Sequence, residues 1–102
     1  MNENEYETFQ AFEAWRDEKL KPYDKACRKA SAAVYAAEKK LDKAFDAFDV
    51  DKTNREKEAA WLQALRKRNA LIKRRDQYQR VKREEEERLT IKLFQEERES
   101  ND

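Results

Sequence analysis

The chain has no glycine, and Pro22 is its single proline. Hairpin turns and bulges draw on residues that accept a positive φ or fix a negative one, so a sheet protein needs both in numbers. Their scarcity argues against an all-β fold and for a few long helices. One run of turn-type residues, Phe48-Asp49-Val50-Asp51-Lys52-Thr53-Asn54, lies near the middle of the chain. Upstream of it Tyr23, Cys27, Ala30, Val34, Ala37, Leu41, Ala44 and Phe48 recur at alternating steps of four and three, the spacing of a helix seam. Downstream, Thr53 can cap a helix, with Glu56 three residues later completing a capping box ahead of Ala59-Ala60-Trp61-Leu62. The expected fold is all-α, an antiparallel, coiled-coil-like helical hairpin closed by this turn.

Pro22 lacks the N–H that would bond back to Glu18, so an additional N-terminal helix from about Glu5 to Lys19 is expected to end there. A second helix is then expected from Pro22 to Phe48 and a third from about Thr53 to Glu97, leaving a frayed tail at 98–102 in a single domain of residues 1–102. In the third, Leu89, Ile91 and Leu93 alternate as in a strand, but Glu84 and Arg88 at spacing four support helix. In the N-terminal helix Tyr6, Phe9, Phe12 and Trp15 recur at steps of three, each turning the stripe by about 300°. The stripe drifts half way round, too far for one flat contact. It either fills a groove between the other two helices or docks on a second copy. Reflecting the chain about the turn, with residue i facing residue 101 − i, brings Leu89, Leu93 and Phe94 to the same pole. A homodimer built on Tyr6, Phe9, Phe12, Trp15, Leu89, Leu93 and Phe94 is the expectation, because monomers rarely leave so large an apolar patch to water.

Charged residues make up 46% of the chain, a level compatible with disorder, but eleven aromatic residues and the periodic seam oppose that reading. The net charge of +1 hides a segregated pattern, with −5 over residues 1–18, +8 over 61–83 and −5 over 84–102. Within the basic block Arg68, Arg75 and Lys82 are spaced by seven and fall between the two apolar edges of their helix. An unpaired cation is costly to bury, so these residues either pair with acids of residues 1–18, snorkel along the groove, or meet an acidic partner. Internal pairing is expected. With Arg66 and Arg74 they form a basic groove suited to an acidic protein surface; alternatively the stretch 66–83 tracks the phosphates of a nucleic acid without reading bases.

Asp49-x-Asp51-x-Thr53 imitates the opening of a calcium loop, but Asn54 stands where glycine is needed and Ala60 where a bidentate Glu is needed. There is no histidine, and the lone Cys27 on the seam reads as a small buried hydrophobe. No catalytic residue, metal site or cofactor is expected, and the chain does not read as an enzyme. No apolar run approaches about 18 residues and the N-terminus is acidic, so neither a membrane span nor a secretory signal is expected, and the location is cytoplasmic.

Arg66-Lys67-Arg68-Asn69-Ala70 is superficially similar to a leucine-zipper basic region, but Ile72, Lys73 and Gln77 occupy the places of its small pair and later arginine. Glu13-Ala14-Trp15-Arg16, the carboxylates Asp46, Asp49 and Asp51 at the turn, and Leu65-Arg66-Lys67-Arg68 followed by Leu71-Ile72-Lys73 resemble the coiled-coil arm of the DksA and Gre factors. That resemblance covers mainly the hairpin and implies an acidic tip entering the secondary channel of RNA polymerase. The zinc-binding cysteines of that family are missing. The function expected from the residues themselves is a small non-enzymatic protein-binding module, a regulator or inhibitor of a larger complex.

Overall fold

The computed structural model describes the backbone of residues 3–101 and the side chains of residues 8–96. Two helices of 47 residues each, α1 (Glu3–Asp49) and α2 (Arg55–Asn101), pack antiparallel along their lengths. The result is a hairpin with extents of 74 × 23 × 19 Å and no strand among the described residues.

The expected N-terminal helix is not a separate element, because α1 passes unbroken through Pro22. Proline removes one helical hydrogen bond, but Pro22 and Glu18 are exposed, so water can satisfy the freed Glu18 carbonyl. On either side of the proline, Leu20 at 4% exposure and half-buried Tyr23 hold α1 in place. That continued packing offsets the roughly 3 kcal/mol an interior proline costs. The aromatic stripe therefore runs along α2 instead of filling a groove between two helices. At the other end α2 continues helical to Asn101, past the expected stop at Glu97 and through most of the expected frayed tail. The side chain of Tyr6 and all of Asp102 lie outside the described residues.

The turn is capped one residue later than expected. Asn54, not Thr53, is the N-cap: its Oδ1 accepts from the backbone N–H groups of Glu56 at 3.1 Å and Lys57 at 3.2 Å. Thr53 instead donates its hydroxyl to Asp51 Oδ1 at 3.2 Å, and Asn54 Nδ2 donates to Asp51 Oδ2 at 3.4 Å. Asp51 thus organises the loop and the cap together. With α1 ending at Asp49 and α2 starting at Arg55, the mirror relation moves. Observed partners are Arg16 with Glu86, Asp24 with Lys82 and Phe48 with Trp61, whose numbers add to 102, 106 and 109 against the expected 101.

A single pair of helices can bury little. Among the described residues the buried apolar side chains are Leu20, Ala30, Val34, Ala37 and Leu89. A compact protein of 12.4 kDa exposes about 6,100 Å², whereas this hairpin exposes 8491 Å². Its radius of gyration is 22.2 Å, against about 13 Å for a globular chain of this length.

Candidate functional site

The facing seams explain where the cations lie. Along α2 the seam positions read Trp61, Leu65, Arg68, Ile72, Arg75, Gln79, Lys82, Glu86, Leu89 and Leu93, at steps of four and three. The seam is apolar at both ends and polar in the middle. Opposite that middle α1 presents Cys27, Ala30, Val34 and Ala37, small side chains that leave room for the stems of arginine and lysine to lie across the interface. Arg68, Arg75 and Lys82 are accordingly half-buried.

Their partners differ from the expectation of acids from residues 1–18. Lys82 Nζ lies 2.5 Å from Asp24 Oδ1 across the interface, and that hydrogen bond, against some desolvation, raises the pKa of Lys82 above its ordinary 10.5. Arg75 meets the carboxylate of its own neighbour Asp76 at 3.3 Å, and Arg68 Nε donates to Asn69 Oδ1 at 3.2 Å. Residues 8–18 cannot reach Arg68 or Arg75, because a straight α1 sets them beside the far end of α2. Arg16, 3.9 Å from Glu86, marks that position. Arg66 and Arg74 are exposed. The Arg74 guanidinium packs 5.7 Å from the Tyr78 ring centroid and donates to the Tyr78 hydroxyl from Nε at 3.3 Å and Nη2 at 3.2 Å.

One accessible basic surface lies on a flank of the seam, where two cavities lie along the same groove. One, of 280 Å³, has Ala30, Ala33 and Leu71 in its lining with Lys29, Arg74 and Tyr78. The other, of 230 Å³, has Ala37 and Ala64 with Lys40 and Lys67. No acidic residue lines either one. Of these cations only Arg74 belongs to the set expected from sequence. Lys67 could have been found from the triplets Arg66-Lys67-Arg68 and Lys73-Arg74-Arg75, which repeat after seven residues and so keep to the same faces. Lys29 and Lys40 carry no such signal; they join the site only because α1 folds alongside.

The hairpin also brings like charges together. Residues 19–40 of α1 carry seven bases against Asp24 and Glu38, and residues 66–83 of α2 carry nine bases against Asp76. Side by side they form a middle zone of net charge +13, flanked among the described side chains by −5 from residues 8–18 with 84–96 and by −2 from residues 41–65. The expected self-association residues are divided at the open end. Phe9 and Phe94 are exposed at 49% and 61%, joined by Ile91 at 58%. Phe12 and Trp15 are half-buried with ring centroids 6.2 Å apart, and Arg16 lies over Phe12 at 5.7 Å. Leu93 is half-buried and Leu89 is 3% exposed, taken up by the hairpin's own core.

At the tip, the carboxylates have local work. Asp51 holds the loop and lies 3.7 Å from Lys57 Nζ, and Asp49 lies 3.4 Å from Lys52 Nζ. Among the described residues no group of three or more His, Cys, Asp or Glu side chains could hold a metal ion, and no helix is long and apolar enough to cross a membrane. Comparison of the chain with protein-family models, curated proteins and solved structures finds no match.

Proposed function

We propose that the hairpin is a non-enzymatic binding module that seats an acidic helical segment of a protein partner along its basic flank, acting in the cytoplasm to regulate or inhibit a larger complex. The observation that carries this reading is the groove itself: a floor of alanines that admits close approach of a third helix, with Lys29, Lys40, Lys67 and Arg74 along it and no acid in its lining. An amphipathic helix with an apolar stripe between carboxylates fits such a surface, in the helix-in-groove mode of recognition. The seam cations Arg68, Arg75 and Lys82 support it from below by adding to the field, while the exposed flank makes the contacts.

A second reading rests on a different observation. Arg66, Lys73 and Arg80 are exposed at intervals of seven, an outer line that suits the phosphates of a nucleic acid. Fluorescence anisotropy with a labelled Glu-rich amphipathic peptide and with a 20-base-pair DNA duplex, at several salt concentrations, separates the two. The protein-partner reading expects the peptide to bind and Lys29→Glu with Arg74→Glu to weaken it at least about tenfold, with helicity unchanged. Binding of the duplex alone, lost with Arg66→Glu and Lys73→Glu, would replace it with the nucleic-acid reading.

A further inference from the structure

We infer that a second copy of this chain docks on the basic middle, in an offset antiparallel homodimer in which the acidic open end of each hairpin lies along the basic zone of the other. The argument starts from the zoning. The described side chains of the open end carry −5 and those of the adjoining middle +13. The zones are nearly equal in length: 18 residues of α1 make about 27 Å and the next 22 make about 33 Å at the helical rise. They also abut, near Leu20 on α1 and the Arg83–Glu84 step on α2. A two-fold axis at that boundary superposes each zone on the opposite charge of the partner, so both halves of the interface are satisfied by one operation, as an isologous dimer requires. Placed head to head at their open ends, the same hairpins would bring acidic zone against acidic zone.

Two further features favour a second copy as occupant. The hairpin exposes 8491 Å², well beyond the compact value for its mass, so it has surface left to bury. Among the described residues, three of the seven exposed large apolar ones, Phe9, Ile91 and Phe94, stand in the acidic zone, and Ile91 and Phe94 share the outer face of α2 with Lys73 and Arg80, so the offset arrangement sets them beside the partner's outer basic line. The aromatic open end therefore takes part in self-association by lying across the other copy's middle, and the tips project from both ends. The dimer covers the outer line of Arg66, Lys73 and Arg80 and leaves the alanine-floored groove on the other flank open to the acidic partner; this last point alone rests on that assignment.

Sedimentation equilibrium and small-angle scattering on the full chain test the arrangement. The expected species is a dimer about 90 Å long that loosens at least tenfold in dissociation constant as salt rises from about 0.05 to 0.3 M, since screening weakens charge pairing. Lys73→Glu with Arg80→Glu, and separately Glu84→Lys with Glu87→Lys, should each give a monomer. Mixed one to one, the two variants should form a heterodimer, because each then offers the charge the other lacks. All four positions are exposed, and circular dichroism of each variant confirms that it is folded. A monomer at all salt concentrations, a salt-insensitive dimer about 150 Å long, or no rescue on mixing would overturn the inference. A monomer that still binds the Glu-rich peptide removes this inference and leaves the partner reading intact, while a dimer that never binds the peptide does the reverse.

Discussion

The tip and the middle of the hairpin hold the same two helices together by different means. At the tip, Trp61 of α2 stacks on Phe48 with ring centroids 5.3 Å apart and planes 7° from parallel, and meets Phe45 at 5.7 Å. Asn54 caps α2 and Asp51 ties the loop to the cap. In the middle, the contact is small side chains against long cations, with Ala30, Val34 and Ala37 under Arg68 and Arg75. The tip is built for closure. The middle gives up apolar area for a concentration of positive charge, a departure from good packing that motivates the binding role proposed above.

The largest expected effect lies at the tip. Trp61→Ala should cost about 3 kcal/mol, read as a lower urea midpoint, because it removes both ring contacts and the large side chain that closes this end. A loss below about 1 kcal/mol would mean that the tip is no stronger than the middle.

In the middle the sign reverses. Arg75→Leu should raise stability by about 1 kcal/mol, since an apolar side chain packs against the alanines without desolvating a cation. Among the described residues its ion pair is with its own neighbour Asp76, so little is lost across the interface. The same substitution should weaken binding of an acidic peptide. Urea unfolding that shows a loss would remove the contrast between the two regions.

Cap chemistry sharpens the comparison further. Asn54→Ala should cost about 1 kcal/mol, whereas Thr53→Ala should stay within about 0.5 kcal/mol, because only Asn54 accepts from the free N–H groups of α2. A larger loss from Thr53→Ala than from Asn54→Ala would place the cap where the sequence pattern alone had it.

The smallest effect is a pH dependence. Lys82 has its pKa raised in the folded state by the Asp24 hydrogen bond, so its contribution is present below its unfolded pKa near 10.5 and is lost as pH rises through the higher folded value. As pH rises above about 10.5 the wild type should therefore lose slightly more stability than Lys82→Met. The side chains are 34% and 32% exposed, so solvent screens the pair and the difference should be small. Parallel curves for the two proteins would mean that the Asp24 contact does not form.

The all-α hairpin, the place of the turn, the seam of α1 and the cations at Arg68, Arg75 and Lys82 were legible in the sequence. Helical periodicity and the lack of glycine are local properties, written residue by residue. The break at Pro22 and the cap at Thr53 were the natural local readings too, and both yielded to context. Packing by Leu20 and Tyr23 carries α1 through the proline, and Asp51 draws Thr53 into the loop so that the cap falls to Asn54. Those shifts move the register, and the register decides which residues meet. It pairs Lys82 with Asp24, leaves Arg75 with its own neighbour, and places Lys29 and Lys40 of α1 beside Arg74 and Lys67 of α2. Sequence determined that α2 carries a basic block; only the tertiary structure joined it to the bases of α1, because residues more than twenty-five apart along the chain become one surface when two helices fold against each other.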